Sequence, residues 1–114
     1  MTKFKVLRNE RETYKLISGS ELWTYINPTY AQLLKVFGKP TGNGDGYKTD
    51  AEWIIQLDDG TVFSIYNYKT GKNYLGSSGQ NLSEIRDWHV GLHKGVPFAS
   101  VKVGAFLREK GLMY

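Results

Sequence analysis

The sequence predicts a small α+β fold, a mostly antiparallel sheet with two helices packed on it, forming a single domain over residues 1–114. Three observations lead there. An apolar period of 3.6 follows Asn27-Pro28, two strand-like runs bracket Asp58-Asp59-Gly60, and a second helical segment follows Pro97. The element order is then β-α-β-β-β-α, which places helices on an antiparallel sheet.

The first strand is Glu21 to Ile26, where Leu22, Thr24 and Ile26 alternate against Trp23 and Tyr25. It leads into a helix. Asn27 is a natural N-cap, Pro28 suits the first helical position, and Gly38 followed by Pro40 closes the element. Between them Tyr30, Leu33, Leu34 and Phe37 fall at i, i+3, i+4 and i+7, on one face. Thr41 to Gly46 (T-G-N-G-D-G) is a loop; its glycines lack P-loop spacing and a following helix, which favours a plain loop over an anion nest.

A hairpin follows, Ala51 to Leu57 paired with Thr61 to Lys69. A two-residue Asp59-Gly60 turn would set Gln56 opposite Phe63. A three-residue Asp58-Asp59-Gly60 turn, with Gly60 left-handed, pairs Leu57 with Thr61 instead. The second register gathers Trp53, Ile55, Leu57, Phe63 and Ile65 on one face and leaves Glu52, Gln56, Ser64, Tyr66 and Tyr68 on the other. A one-residue slip exchanges the faces, so the cleaner segregation favours it. Tyr74 to Asn81 is Gly/Ser-rich and reads as a loop, and Trp88 to Leu92 as a short strand. The last helix, Phe98 to Glu109, carries Phe98, Val101 and Ala105 on one side and Val103, Phe106 and Leu107 on another, and ends at Gly111.

Composition sets the class of function. Hydrophobic residues make up 40% and charged residues 23%, as in an ordinary globular domain. No apolar run approaches the ~20 residues a membrane span needs, and Met1 to Arg11 is charged, without the apolar stretch of a signal peptide. A cytoplasmic location is the simplest expectation. With no cysteine, disulfides, thiolate nucleophiles and cysteine-based zinc sites are excluded. The net charge of +4 biases the chain mildly toward anionic partners, with five basic residues between Lys3 and Lys15 against Glu10 and Glu12.

His89 and His93 have H-x-x-x-H spacing, but Val90-Gly91 between them belongs to a strand running into a loop, and no Glu follows the first His. Zinc is not expected. Asp45, Asp50, Glu52, Asp58 and Asp59 are close in sequence, yet Asp58 and Asp59 serve the turn they form. No grouping of base and stabiliser emerges, so the expectation is binding and not catalysis.

The richest stretch runs from Tyr47 to Tyr74. Tyr47-Lys48-Thr49 precedes the hairpin and Lys69-Thr70-Gly71-Lys72-Asn73-Tyr74 follows it, so pairing brings the two patches together. Lys48, Lys69 and Lys72 supply charge for phosphate, and the Thr49 hydroxyl a hydrogen bond. Tyr47, Tyr66, Tyr68 and Tyr74 offer stacking faces or hydroxyl donors, while Asn67, Asn73 and His89 suit base or ribose edges. Exposed strand tyrosines beside a lysine-rich turn would be the ordinary alternative, since strands favour tyrosine. Trp53 is assigned to the core and Trp88 is left undecided. The helix N-terminus at Asn27 to Tyr30 is an anion site in principle.

F-G-K-P (Phe37 to Pro40), D-G-Y-K-T-D-A-E-W (Asp45 to Trp53), D-G-T-V-F-S-I-Y-N-Y-K (Asp59 to Lys69) and W-H-V-G (Trp88 to Gly91) together resemble a family of small phage proteins, the fourth type of anti-CBASS protein. The resemblance covers roughly Tyr25 to Gly91; the family pattern ends in a second glycine where this chain has Leu92. It implies a homotetramer in the cytoplasm of the infected bacterial host. Such a protein binds cyclic dinucleotides such as 3′3′-cGAMP without cleaving them, starves CBASS effectors of their activator, and needs no cofactor, membrane or polymeric nucleic acid. The alternative from the residues alone is a small single-stranded nucleic-acid-binding domain.

Overall fold

The computed structural model describes residues 2–8, 13, 21–44, 46–92 and 98–113. Asp45, His93 and Pro97, all considered above, lie outside them, as do Glu10, Arg11, Glu12 and Lys15 of the basic N-terminal segment. Among the described residues five strands form one antiparallel sheet: β1 (Phe4–Val6), β2 (Glu21–Ile26), β3 (Glu52–Leu57), β4 (Val62–Tyr66) and β5 (Trp88–Leu92), in the order β1-β3-β4-β5-β2. Among the described residues the helices α1 (Tyr30–Phe37), α2 (Lys72–Leu75, one turn) and α3 (Ala99–Glu109) accompany it. The architecture is the small α+β domain with an antiparallel sheet, with one strand and one short helix beyond the expected set.

The hairpin adopts the three-residue turn. The Leu57 N–H donates to the Thr61 carbonyl at 2.8 Å, Gly60 sits at φ +93°, and Ile55 and Trp53 face Phe63 and Ile65. Trp53, Ile55, Leu57, Phe63 and Ile65 join Ile26, Trp88 and Val90 on one face of the sheet, against Leu33 and Phe37 of α1 and Val103, Phe106 and Leu107 of α3. Phe4 of β1 packs edge-on against Phe37 and Phe106, at 5.5 and 5.3 Å between centroids. Trp88, undecided from sequence, is fully buried there beside Trp53.

Four expectations change. The cap of α1 is Thr29, not Asn27: its hydroxyl accepts from the Gln32 N–H while the Gln32 side chain accepts from the Thr29 N–H, a reciprocal capping box that T-x-x-Q encodes. Leu34 is more than a third exposed, so the apolar stripe of α1 centres on Leu33 and Phe37 with Tyr30 and Val36 beside it. In β2 a bulge between Leu22 and Thr24 breaks the alternation, so Trp23 packs against the core although its neighbours by period two do not. The stretch read as a loop from Tyr74 to Asn81 is ordered by α2, by 3₁₀ turns at Gly76–Ser78 and Leu82–Glu84, and by a bridge from Gly71 to Gln80.

α3 spans the expected segment and buries its Val103-Phe106-Leu107 side, leaving Phe98 and Val101 exposed. Gly111, at φ +74°, ends it in a Schellman motif: the Leu112 N–H donates to Leu107 O and the Gly111 N–H to Arg108 O.

Candidate functional site

The face of the sheet opposite this core carries the aromatic groups singled out in the sequence. Register fixes the row. Tyr25 on β2 lies across from His89 on β5, His89 across from Tyr66 on β4, and Tyr66 across from Glu52 on β3. His89 is its centre, with its ring 4.8 Å from Tyr25, 5.3 Å from Tyr66 and 5.6 Å from Tyr68. Gly91 makes room beside it, because a side chain there would come within 2.9 Å of Ser64 Oγ and 3.5 Å of the Tyr66 ring.

Beyond the strands the row continues through a cation. Lys69 Nζ lies 5.2 Å from the centre of the Tyr68 ring and 5.4 Å from that of Tyr74, whose ring meets Tyr47 at 5.1 Å. Lys69 takes the left-handed conformation, φ +59°, while its N–H donates to the Lys48 carbonyl at 2.7 Å. That bond ties the segment before the hairpin to the segment after it. The two patches therefore meet, and Tyr47, Lys48, Tyr66, Tyr68, Lys69, Tyr74 and His89 belong to one continuous surface. Tyr47, Tyr25 and Tyr68 are the most open rings of the face, at 55%, 54% and 39% exposure.

The remaining residues of the stretch build the frame. Asn67 is fully buried; its Oδ1 accepts from the N–H groups of Asp50 and Ala51, and its Nδ2 donates to Asp50 Oδ1 and Thr70 Oγ1. That saturates the amide, so it cannot read a base edge as its residue type suggested. Asp50 in turn accepts from the Asn73 N–H at 3.2 Å, and Asn73 Nδ2 donates to the Thr49 carbonyl at 3.1 Å. A Cβ on Gly71 would overlap the Asp50 carboxylate, which explains the glycine. Thr49 is buried with its side chain against Gly44. Lys72 stands exposed at the start of α2, outside the ring contacts.

Burial tunes the two titratable groups at the centre. It holds His89 below its ordinary range, against the opposing pull of Asp87, so the ring is neutral at pH 7 and offers a face and one N–H. Burial, then the Glu52 carboxylate, pushes the Tyr66 phenol up, keeping it a protonated donor. Positive charge among these rings comes from Lys69, not from the imidazole.

Sequence reading missed Tyr25 and Asp50. Tyr25 had the outward parity of its strand as a signal, but nothing local indicates that β2 pairs with β5. Asp50 was noted only among nearby carboxylates.

Two clefts lie away from the centre of the row. One of about 470 Å³ is bounded by Tyr25, Asn27, Gln32, Arg86 and Met113, and one of about 370 Å³ lies between β1 and the hairpin turn. Among the described residues no group of His, Asp or Glu could hold a metal ion, and no helix is long and apolar enough to cross a membrane. The chain matches no protein-family model and no curated protein.

Proposed function

We propose that this protein is a nucleotide sponge: it binds cyclic dinucleotides such as 3′3′-cGAMP and holds them intact, denying a CBASS effector its activator inside an infected bacterium. The observation that carries the reading is the row of Tyr25, Tyr66 and Tyr68 around a neutral His89, continued by Lys69 between the Tyr68 and Tyr74 rings. A cyclic dinucleotide carries two bases and two phosphodiester charges. Flat exposed rings stack with the bases, each such contact worth about 1–3 kcal/mol in single-stranded systems. The Lys69 ammonium, held over the Tyr68 and Tyr74 rings, meets a phosphate as a point charge. The motifs of residues 37–40, 45–53, 59–69 and 88–91 resemble the anti-CBASS family and supply the same ligand.

The sponge works by affinity and stoichiometry, so the ligand leaves the complex unchanged. The face is open on one protomer, and a homotetramer would let a second copy cover it. Heat-denaturing the complex and separating the released nucleotide tests this directly: intact cyclic dinucleotide is the expected product, and linear product would show an enzyme instead.

One feature favours a second reading. The rings run as an open row across a sheet face, an arrangement that also suits successive bases of a single strand. A strand binder tightens with oligonucleotide length and weakens steeply with salt. A sponge saturates at fixed stoichiometry and ignores longer strands.

A further inference from the structure

The cleft beside Arg86 adjoins the aromatic row through a shared residue. Tyr25 is edge-on to His89 on one side and forms a wall of the cleft on the other. Apolar walls come from Ile26, Pro28 and Leu112, all buried residues whose edges line the opening. The polar side is a guanidinium. Arg86 Nε and Nη2 both donate to the Asn27 carbonyl, at 3.1 and 2.9 Å, which fixes the plane of the group. Arginine has five N–H donors, so three remain after these two. Among the described residues no carboxylate pairs with Arg86. A cleft of about 470 Å³ has the size of small-molecule sites.

A positive, planar, pre-oriented fork beside an apolar wall and a tyrosine face fits a phosphodiester with a base attached. We infer that this cleft is the second half of the ligand site: Arg86 takes one phosphodiester of a cyclic dinucleotide and Tyr25 stacks against the adjoining base, while Tyr68 and Lys69 hold the other half. This inference rests on the sponge reading and extends it to a part of the chain outside the Tyr47–Tyr74 stretch. Tyr25 then belongs to both halves, which sets the spacing between the two bases the site accepts.

The test is calorimetry with 3′3′-cGAMP on the wild type, Arg86→Met, Gln32→Glu and Tyr68→Ala. Gln32→Glu is the informative variant, because a glutamate keeps the Thr29 capping box while placing a negative charge in the cleft. Both Arg86→Met and Gln32→Glu are expected to weaken binding at least tenfold, with Gln32→Glu retaining the wild-type melting temperature. Unchanged affinity in Arg86→Met overturns the inference and leaves the sponge reading in place when Tyr68→Ala still weakens binding. A loss confined to Arg86→Met, with Gln32→Glu unaltered, reports the freed Asn27 carbonyl and not an anion contact, and overturns it as well. Failure of the wild type to bind any cyclic dinucleotide removes both readings together.

Discussion

Asn67 shows how one buried amide can organise a surface without touching a ligand. It satisfies two backbone N–H groups at the mouth of the hairpin and orients Asp50, which then receives the Asn73 N–H. Removing it leaves buried donors unpaired, a loss of about 1–3 kcal/mol for each such group. Asn67→Ala is therefore expected to lower stability by roughly 3 kcal/mol, read from urea unfolding. A loss under about 0.5 kcal/mol, the ordinary surface value, would contradict the frame assigned to it. His89 makes a second prediction at this scale. Its folded pKa lies below 6.5, so the neutral ring is the one the fold favours. Its contribution to stability is present above pH 6.5 and is lost as the pH falls below 6.5 toward the folded value. An NMR titration of the ring should give a midpoint under 6.5, and His89→Gln should flatten the fall in stability between pH 7 and 5. A midpoint at or above 6.5 would rule this out.

Among the elements, the β3–β4 hairpin matters most, because its turn sets the register that assembles the site. Asp59 accepts from the Thr61 N–H at 2.9 Å and pairs with Lys102 of α3 at 3.0 Å. These bonds, the Thr61 N–H foremost, hold its carboxyl at about 2, down from 3.8. The sign follows from linkage: the turn's contribution is whole above pH 3.8 and disappears as the pH falls through about 2. A carboxyl-carbon titration of Asp59 should show that low midpoint, and Asp59→Asn or Lys102→Ala should each remove the Asp59–Lys102 pairing. Gly60 sits at φ +93° with open space around it, so Gly60→Ala meets a backbone penalty only, about 1–2 kcal/mol in a chemical-denaturation curve.

The same elements show what was legible. Register could be argued because D-D-G encodes a turn and the two candidate pairings segregate apolar residues unequally. α1 and α3 were legible from period and from Gly38 and Gly111, both at positive φ. β1 was not, since three residues of F-K-V carry too little pattern and pairing with β3 makes them a strand. The bulge in β2 was hidden for the same reason: β5 dictates it, not the local sequence. α2 sits in a lysine- and asparagine-rich segment whose composition signals a turn, and Asp50 and the Gly71–Gln80 bridge order it.

At the scale of the molecule, the two faces of the sheet divide the work. One face buries Trp53, Trp88, Phe37, Phe63 and Phe106 with both longer helices, and the other presents the tyrosine row. Convergence of the two hairpin-flanking patches was legible, because antiparallel pairing requires it. The contribution of Tyr25 and Arg86 was not, because the strand order β4-β5-β2 is a property of the whole sheet. Since Tyr68 is exposed and remote from the core, Tyr68→Ala is expected to leave the melting temperature within a few degrees of wild type while weakening nucleotide binding about tenfold or more, the loss of one stacking contact. The central claim is that this face binds cyclic dinucleotides, and isothermal titration calorimetry of the wild-type protein against a panel of cyclic di- and trinucleotides tests it most directly. The account predicts saturable binding of at least one cyclic dinucleotide at fixed stoichiometry, tighter than about 10 μM or roughly −7 kcal/mol; no binding of any member at that level would contradict it.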